Sequence, residues 1–176
     1  MSATTDRNFV LQQGLDAPSA AGCEVRASAL LFQPRVIGLV LIAGVIVQSP
    51  VLFAALAAVL WWCALVPRAN LFDLVYNVTF GRRAGASRLG PAPAPRRFAQ
   101  ALAGAFAAAT AAALWADVPL VAWIFEGLLA LAIAALVFLR FCFGSFLYHV
   151  LRGRTAFALS TLPWARDPAS SEPAAG

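Results

Sequence analysis

The sequence predicts an all-α integral membrane protein, with four transmembrane helices in two hairpins and a short interfacial helix between them. Of 176 residues, 61% are hydrophobic and only 12% are charged. A soluble domain has roughly 45–50% apolar and about 25% charged residues, so too little polar surface is left to cover a water-soluble globule. The apolar residues run in long blocks rather than in alternating or one-faced patterns, and lipid is the solvent such blocks fit. The cations keep to one side of the blocks. All 13 basic residues are Arg, and the formal net charge is +5. Each Arg lies in a tail, in the 67–97 segment or at an adjoining helix end.

That positive charge does not point to nucleic acid, because no basic folded domain remains once the apolar blocks are set aside. Anionic lipid headgroups are the simpler partner. Residues 1–29 read as a polar cytoplasmic tail interrupted by Pro18, Ser19 and Gly22. Its start carries Asp6, Arg7, Gln12 and Gln13 without an apolar core, so it is not a secretory signal peptide and targeting falls to the first span.

Residues 30–66 form the first hairpin. A span needs about 20 residues at 1.5 Å rise, and Gln48-Ser49-Pro50 divides this stretch into helices over Leu30–Val47 and Pro50–Val66. Pro50 suits a first helical turn, where its missing N–H costs nothing. Arg35 must snorkel to the near headgroups.

Residues 67–97 stay on the cytoplasmic side. Over Asn70–Phe80, Leu71, Leu74, Val75 and Val78 share one helical face and Asn70, Asp73 and Asn77 the other. This segment is too short to cross and is read as an interfacial helix, with Asn70 as N-cap and Gly81 as stop. The loop after it holds Arg82, Arg83, Arg88, Arg96 and Arg97 among prolines. It is expected to be extended and mobile and to contact lipid headgroups.

Residues 98–152 form the second hairpin. An alanine-rich span over Phe98–Trp115 turns at 116–119 into a fourth from Leu120 to about Leu139, continuing as helix past Tyr148. The small residues of the third span allow close helix approach in lipid, at the bundle centre or in an oligomer contact. Residues 153–176, with Pro163, Pro168 and Pro173, read as a disordered cytoplasmic tail.

The two short turns contain no Arg. The positive-inside rule therefore puts both termini and the central loop in the cytoplasm. Trp115 and Trp123 flank the outer turn, and Trp61 and Trp62 lie near the inner end of the second span, as interfacial aromatic belts do.

Few residues can carry chemistry. Glu126 lies roughly 10 Å into the fourth span, where an acid is a candidate for ion or proton handling. With no second intramembrane acid or amide to continue a pathway, a packing role is the favoured reading. Cys142, Ser145 and His149 share a face of a continuing helix, but Cys142 and His149 would stand roughly 10 Å apart. One Cys and one His make a poor zinc site. Cys23, Cys63 and Cys142 give neither a disulfide framework nor paired ligand spacing. No metal or cofactor is expected.

Two segments resemble a known family. Arg96-Arg97-Phe98-Ala99-Gln100 opens the third span, and Phe141-Cys142-Phe143-Gly144-Ser145 with Leu147-Tyr148 closes the fourth. Together they resemble the bacterial membrane proteins grouped as domain of unknown function 4395, over roughly residues 25–152. The resemblance implies a compact multi-span membrane protein without an established activity. The family's paired cysteines imply thiol redox chemistry or metal binding. Here Ser145 stands where the second Cys would be, so Cys142 cannot form that local disulfide.

The sequence thus leans away from an enzyme and toward a membrane protein acting through helix association with itself or a membrane partner. A thiol-dependent redox protein centred on Cys142 is the alternative, and ion or small-solute movement through Glu126 a weaker one.

Overall fold

The computed structural model describes residues 3–17, 19–82 and 87–165. The described residues form helices α1 (Ala3–Gln12), α2 (Ala20–Leu30), α3 (Phe32–Val47), α4 (Pro50–Leu65), α5 (Leu71–Thr79), α6 (Ala94–Trp115), α7 (Pro119–Leu139), α8 (Phe143–Leu151) and α9 (Thr155–Ser160), and no strand. Three stretches are long and apolar enough to cross a membrane: Ala20–Val47, Ala94–Trp115 and Pro119–Leu139. At 16 residues, α4 is apolar but shorter than these.

Proline chemistry sets several boundaries. Pro34 has no N–H to give the Leu30 carbonyl one turn earlier, and the helix is interrupted there, at Leu31. Pro50 and Pro119 occupy first turns of α4 and α7, and Ser49 Oγ caps α4 by accepting from Leu52 N at 3.3 Å. Asn70 caps α5, its Oδ1 accepting from the Phe72 and Asp73 backbone N–H groups. The third long helix starts at Ala94, four residues before the expected Phe98, because Pro93 and Pro95 sit at its entry rather than in a loop.

At the centre, α4 packs on α6. Ile37, Leu56, Ala57, Leu60 and Ala107 form one buried cluster; Leu41, Phe53, Ala111 and Leu129 form the next. Ala107, Ala111 and Ala113 of α6 are therefore buried inside the bundle, while Ala105 and Ala112 stay exposed. Gly104 is one reason the helices come so close: a Cβ there would meet Trp61 Cδ1 at 2.7 Å. Trp61 Nε1 donates to Ala101 O at 3.2 Å and Trp62 Nε1 to Ala69 O at 3.1 Å, so both indoles are tied to the bundle's own backbone.

Three expectations are corrected. Residues 3–30 are not a solvated tail: Phe9, Val10, Ala27, Leu30 and Leu31 build a buried cluster of their own. The fourth long helix does not run on past Tyr148. It stops at Arg140, which takes a left-handed conformation (φ 56°, ψ 36°), and Cys142 becomes the N-cap residue of a new helix. The C-terminal segment is ordered through Ala165, with Asn8 Nδ2 donating to Leu162 O at 3.1 Å and Thr5 Oγ1 to Pro163 O at 3.3 Å. These bonds bring the N- and C-terminal segments together at one end of the bundle, here the tail end; residues 166–176 lie outside the described residues.

The segment before α6 is tied down as well. Asn77 Nδ2 donates to Leu89 O at 2.8 Å and Asn77 Oδ1 accepts from Leu89 N at 2.9 Å. These bonds hold Leu89 against α5; residues 83–86 of the expected loop lie outside the described residues.

Candidate functional site: a polar-ended cavity at the tail end of the bundle

The first turns of α3 and α6 bring their polar side chains to the same level, opposite the inward face of α5. Arg96 Nη1 and Nη2 donate to the two Asp73 carboxylate oxygens at 2.8 and 2.6 Å. Arg96 Nη2 also donates to Gln33 Oε1 at 2.8 Å, and Gln100 Nε2 donates to the same oxygen at 2.9 Å. All four residues are at most 6% exposed. A two-pronged guanidinium–carboxylate pair is strong and directional, and its desolvation is tolerable only because nearly every group is partnered.

A second knot lies beside it. Gln12, the last residue of α1, accepts the Cys142 N–H through Oε1 at 2.8 Å, while its backbone carbonyl faces His149 Nε2 at 3.1 Å. Gln12 so bridges the start and the far end of α8. Gly144 allows α8 to lie against α6: a Cβ there would be 2.7 Å from Ala99 Cα. Gln12 Nε2, Ser145 Oγ and His149 Nδ1 are buried without a hydrogen-bond partner. Arg140 meets Asp6 at 3.5 Å. Burial pulls the Arg140 guanidinium below its usual range, and Asp6 opposes that shift.

Between the two knots lies a cavity of about 110 Å³. Its polar wall holds Gln13, Gln33, Arg96, Gln100 and Cys142; the rest is apolar, including Ile37, Phe106 and Ile133.

The structure distributes the sequence-derived candidates unevenly. Cys142 is buried and borders the cavity. Ser145 and His149 share its helix, but Cys142 is the N-cap before α8 rather than a mid-helix residue. Cys63 is on α4, and Cys63 and Cys142 are free thiols. Among the described residues, no three His, Cys, Asp or Glu side chains gather where they could hold a metal ion.

Glu126 is buried, and Gln48 Nε2 stands 3.2 and 3.3 Å from its two carboxylate oxygens. The expectation of no amide near Glu126 is therefore corrected. Gln48 does lie in the turn, and at the C-cap of α3 its left-handed backbone (φ 50°) sets its amide beside α7.

Of the arginines expected at lipid headgroups, Arg82 and Arg88 are exposed, whereas Arg83 lies outside the described residues. Arg96 is turned inward, because α6 begins early enough to place it on the buried face opposite Asp73. Arg97 is half-buried and donates from Nε to Ala64 O at 2.7 Å. Sequence reasoning missed Gln33, Asp73 and Gln100 as a site. The available signal was that Gln33 and Gln100 interrupt otherwise apolar stretches of their helices, while Asp73 lies on the polar face of α5.

No curated protein and no solved structure matches the chain. A protein-family model, however, matches residues 25–153, a stretch that contains α3 to α8, the Asp73–Arg96 network and Cys142. The chain belongs to the family described as Domain of unknown function (DUF4395).

Proposed function

We propose that this is a multi-pass protein of the bacterial inner membrane, with both termini cytoplasmic, that works without catalysis through association of its helices with a second copy or another membrane protein. The observation that carries this reading is the outward face of α7. It is the most apolar of the three candidate spans and the least covered, 17% of its most apolar window being buried against 33% and 39% for the others. In that face Gly127 and Ala130 are exposed between Ile124, Leu128 and Leu131, and nothing lies within 4 Å of a Cβ built on Gly127. Small residues on an open helix face permit backbone approach in lipid, where packing rather than hydrophobicity drives association. Of the α6 alanines, by contrast, Ala107, Ala111 and Ala113 are already used inside the bundle.

Crosslinking in native membranes followed by mass analysis tests this. A homo-oligomer or a constant partner is expected, and Gly127→Leu should remove it by keeping the backbones apart. A chain that stays monomeric and partnerless overturns the reading.

One observation favours a second, thiol-dependent reading. Cys142 borders the cavity beside Ser145 and His149, whose Oγ and Nδ1 are without partners. Alkylation by a small lipophilic maleimide should then modify Cys142 well ahead of Cys63. Equal, slow rates for both would end that reading.

A further inference from the structure

We infer that the tail-end cavity is a binding site for a small, uncharged lipophile carrying a hydroxyl group. The argument begins with the charge. Arg96 is the cation of the cavity wall, and both Asp73 oxygens already hold it at 2.6 and 2.8 Å. An anionic guest would have to displace a carboxylate that the fold supplies in place, so the site favours a neutral one.

The hydrogen-bond polarity follows by a chain of fixed assignments. Arg96 has only donors to offer, so the Gln33 atom it meets at 2.8 Å must be the acceptor Oε1. The Gln100 atom that shares that acceptor at 2.9 Å must in turn be the donor Nε2. The amide of Gln100 therefore cannot be flipped, and its Oε1 is left as the free end, buried without a partner. Gln100 is 4% exposed and lines the cavity. What the site lacks is one hydrogen-bond donor.

Size and surroundings set the rest. The volume is about 110 Å³, and an apolar cavity of roughly 150 Å³ takes a single benzene ring. The apolar wall comes from seven helices and includes Leu30, Ile37, Leu60, Phe106 and Ile133. On the side of α6, α7 and α8 the lining residues Phe106, Ala132 and Leu136 are half-buried and Phe143 is exposed. The cavity thus reaches the flank of the bundle, where a lipid-dissolved molecule arrives. A phenol, or the hydroxylated ring of a larger lipophile, meets all three demands.

Phenol and its methyl ether anisole are the probes, since they share a ring and differ in the donor. Full-length protein in lipid nanodiscs is titrated with tritiated phenol, with empty nanodiscs subtracted, and anisole is used as competitor. Saturable phenol binding is expected, about tenfold tighter than that of anisole. Gln100→Leu should bring the two within about twofold by weakening phenol alone, and Ala132→Phe should remove saturable binding of both by filling the cavity. Absence of saturable binding overturns the inference, as does anisole binding as well as phenol. A preference that persists in Gln100→Leu overturns it too. Should Gln100→Leu fail to fold, the phenol–anisole comparison in the unaltered protein still decides. Crosslinking of α7 reads none of these quantities, so the two proposals fail separately.

Discussion

At the turn end of the bundle, the hairpins close with local devices: Ser49 over the start of α4, Pro50 and Pro119 in first turns, and left-handed Gln48 and Asp117 after α3 and α6. A side-chain hydrogen bond there joins Gln48 to Glu126. At the tail end, helices α1, α2, α5, α8 and α9 are added around the starts of α3 and α6, and Asp73, Arg96, Gln33 and Gln100 are bonded across three of these elements. Gln33 and Gln48 sit at opposite ends of α3, 15 residues or about 22 Å apart. The difference teaches where specificity resides. Capping can end a helix anywhere, but a buried network bonded across separate elements dictates which elements must meet and at what height.

The sharpest way to break this contrast is to unpair the network. Asp73→Leu leaves the Arg96 guanidinium buried without its counter-charge and should cost about 3–5 kcal/mol of stability, read as the midpoint shift in an SDS titration. Pairing it with Arg96→Leu should recover most of the loss, because removing both charges leaves no buried ion uncompensated.

A smaller effect is expected at the neighbouring knot. Gln12→Ala takes the acceptor from the Cys142 N–H, at a cost of about 1–2 kcal/mol. Amide exchange at Cys142 and along the first turn of α8 should quicken while the α4–α6 core stays protected. Uniform loss of protection would mean that α1 is part of the global unfolding unit rather than a docked cover.

The least change is expected at the turn end. In Glu126→Gln the new amide oxygen can still accept from Gln48 Nε2, so the midpoint should move by less than about 1 kcal/mol. A shift as large as that of Asp73→Leu would erase the distinction between the two ends.

Much of the scaffold was readable along the chain. The breaks at Gln48–Pro50 and at 116–119, the capping role of Asn70 and the small-residue character of α6 follow from local rules of proline, capping and residue size, and these rules operate within one turn of helix. The misreadings share a physical cause. Residues 3–30 look polar because Gln12 and Asp6 face inward to partners from residues 140 onward, and no local pattern announces a partner that far away. Arg96 and Arg97 look like membrane-facing cations for the same reason: whether a guanidinium meets headgroups or Asp73 depends on where α5 lies.

The sequence by itself determined that the chain is helical, that its long helices match the solvent properties of lipid, and roughly where each helix stops, because length, apolarity and capping are properties of contiguous residues. Only the tertiary structure decided that Arg96 of α6 is buried, that Gln48 finds Glu126, and that Gln100 faces a cavity with an unpaired oxygen. Each rests on side chains distant in the chain, 23 residues for Arg96 with Asp73, 78 for Gln48 with Glu126 and 67 for Gln100 with Gln33, and the free energy of such a match is fixed by where the folded backbone places them.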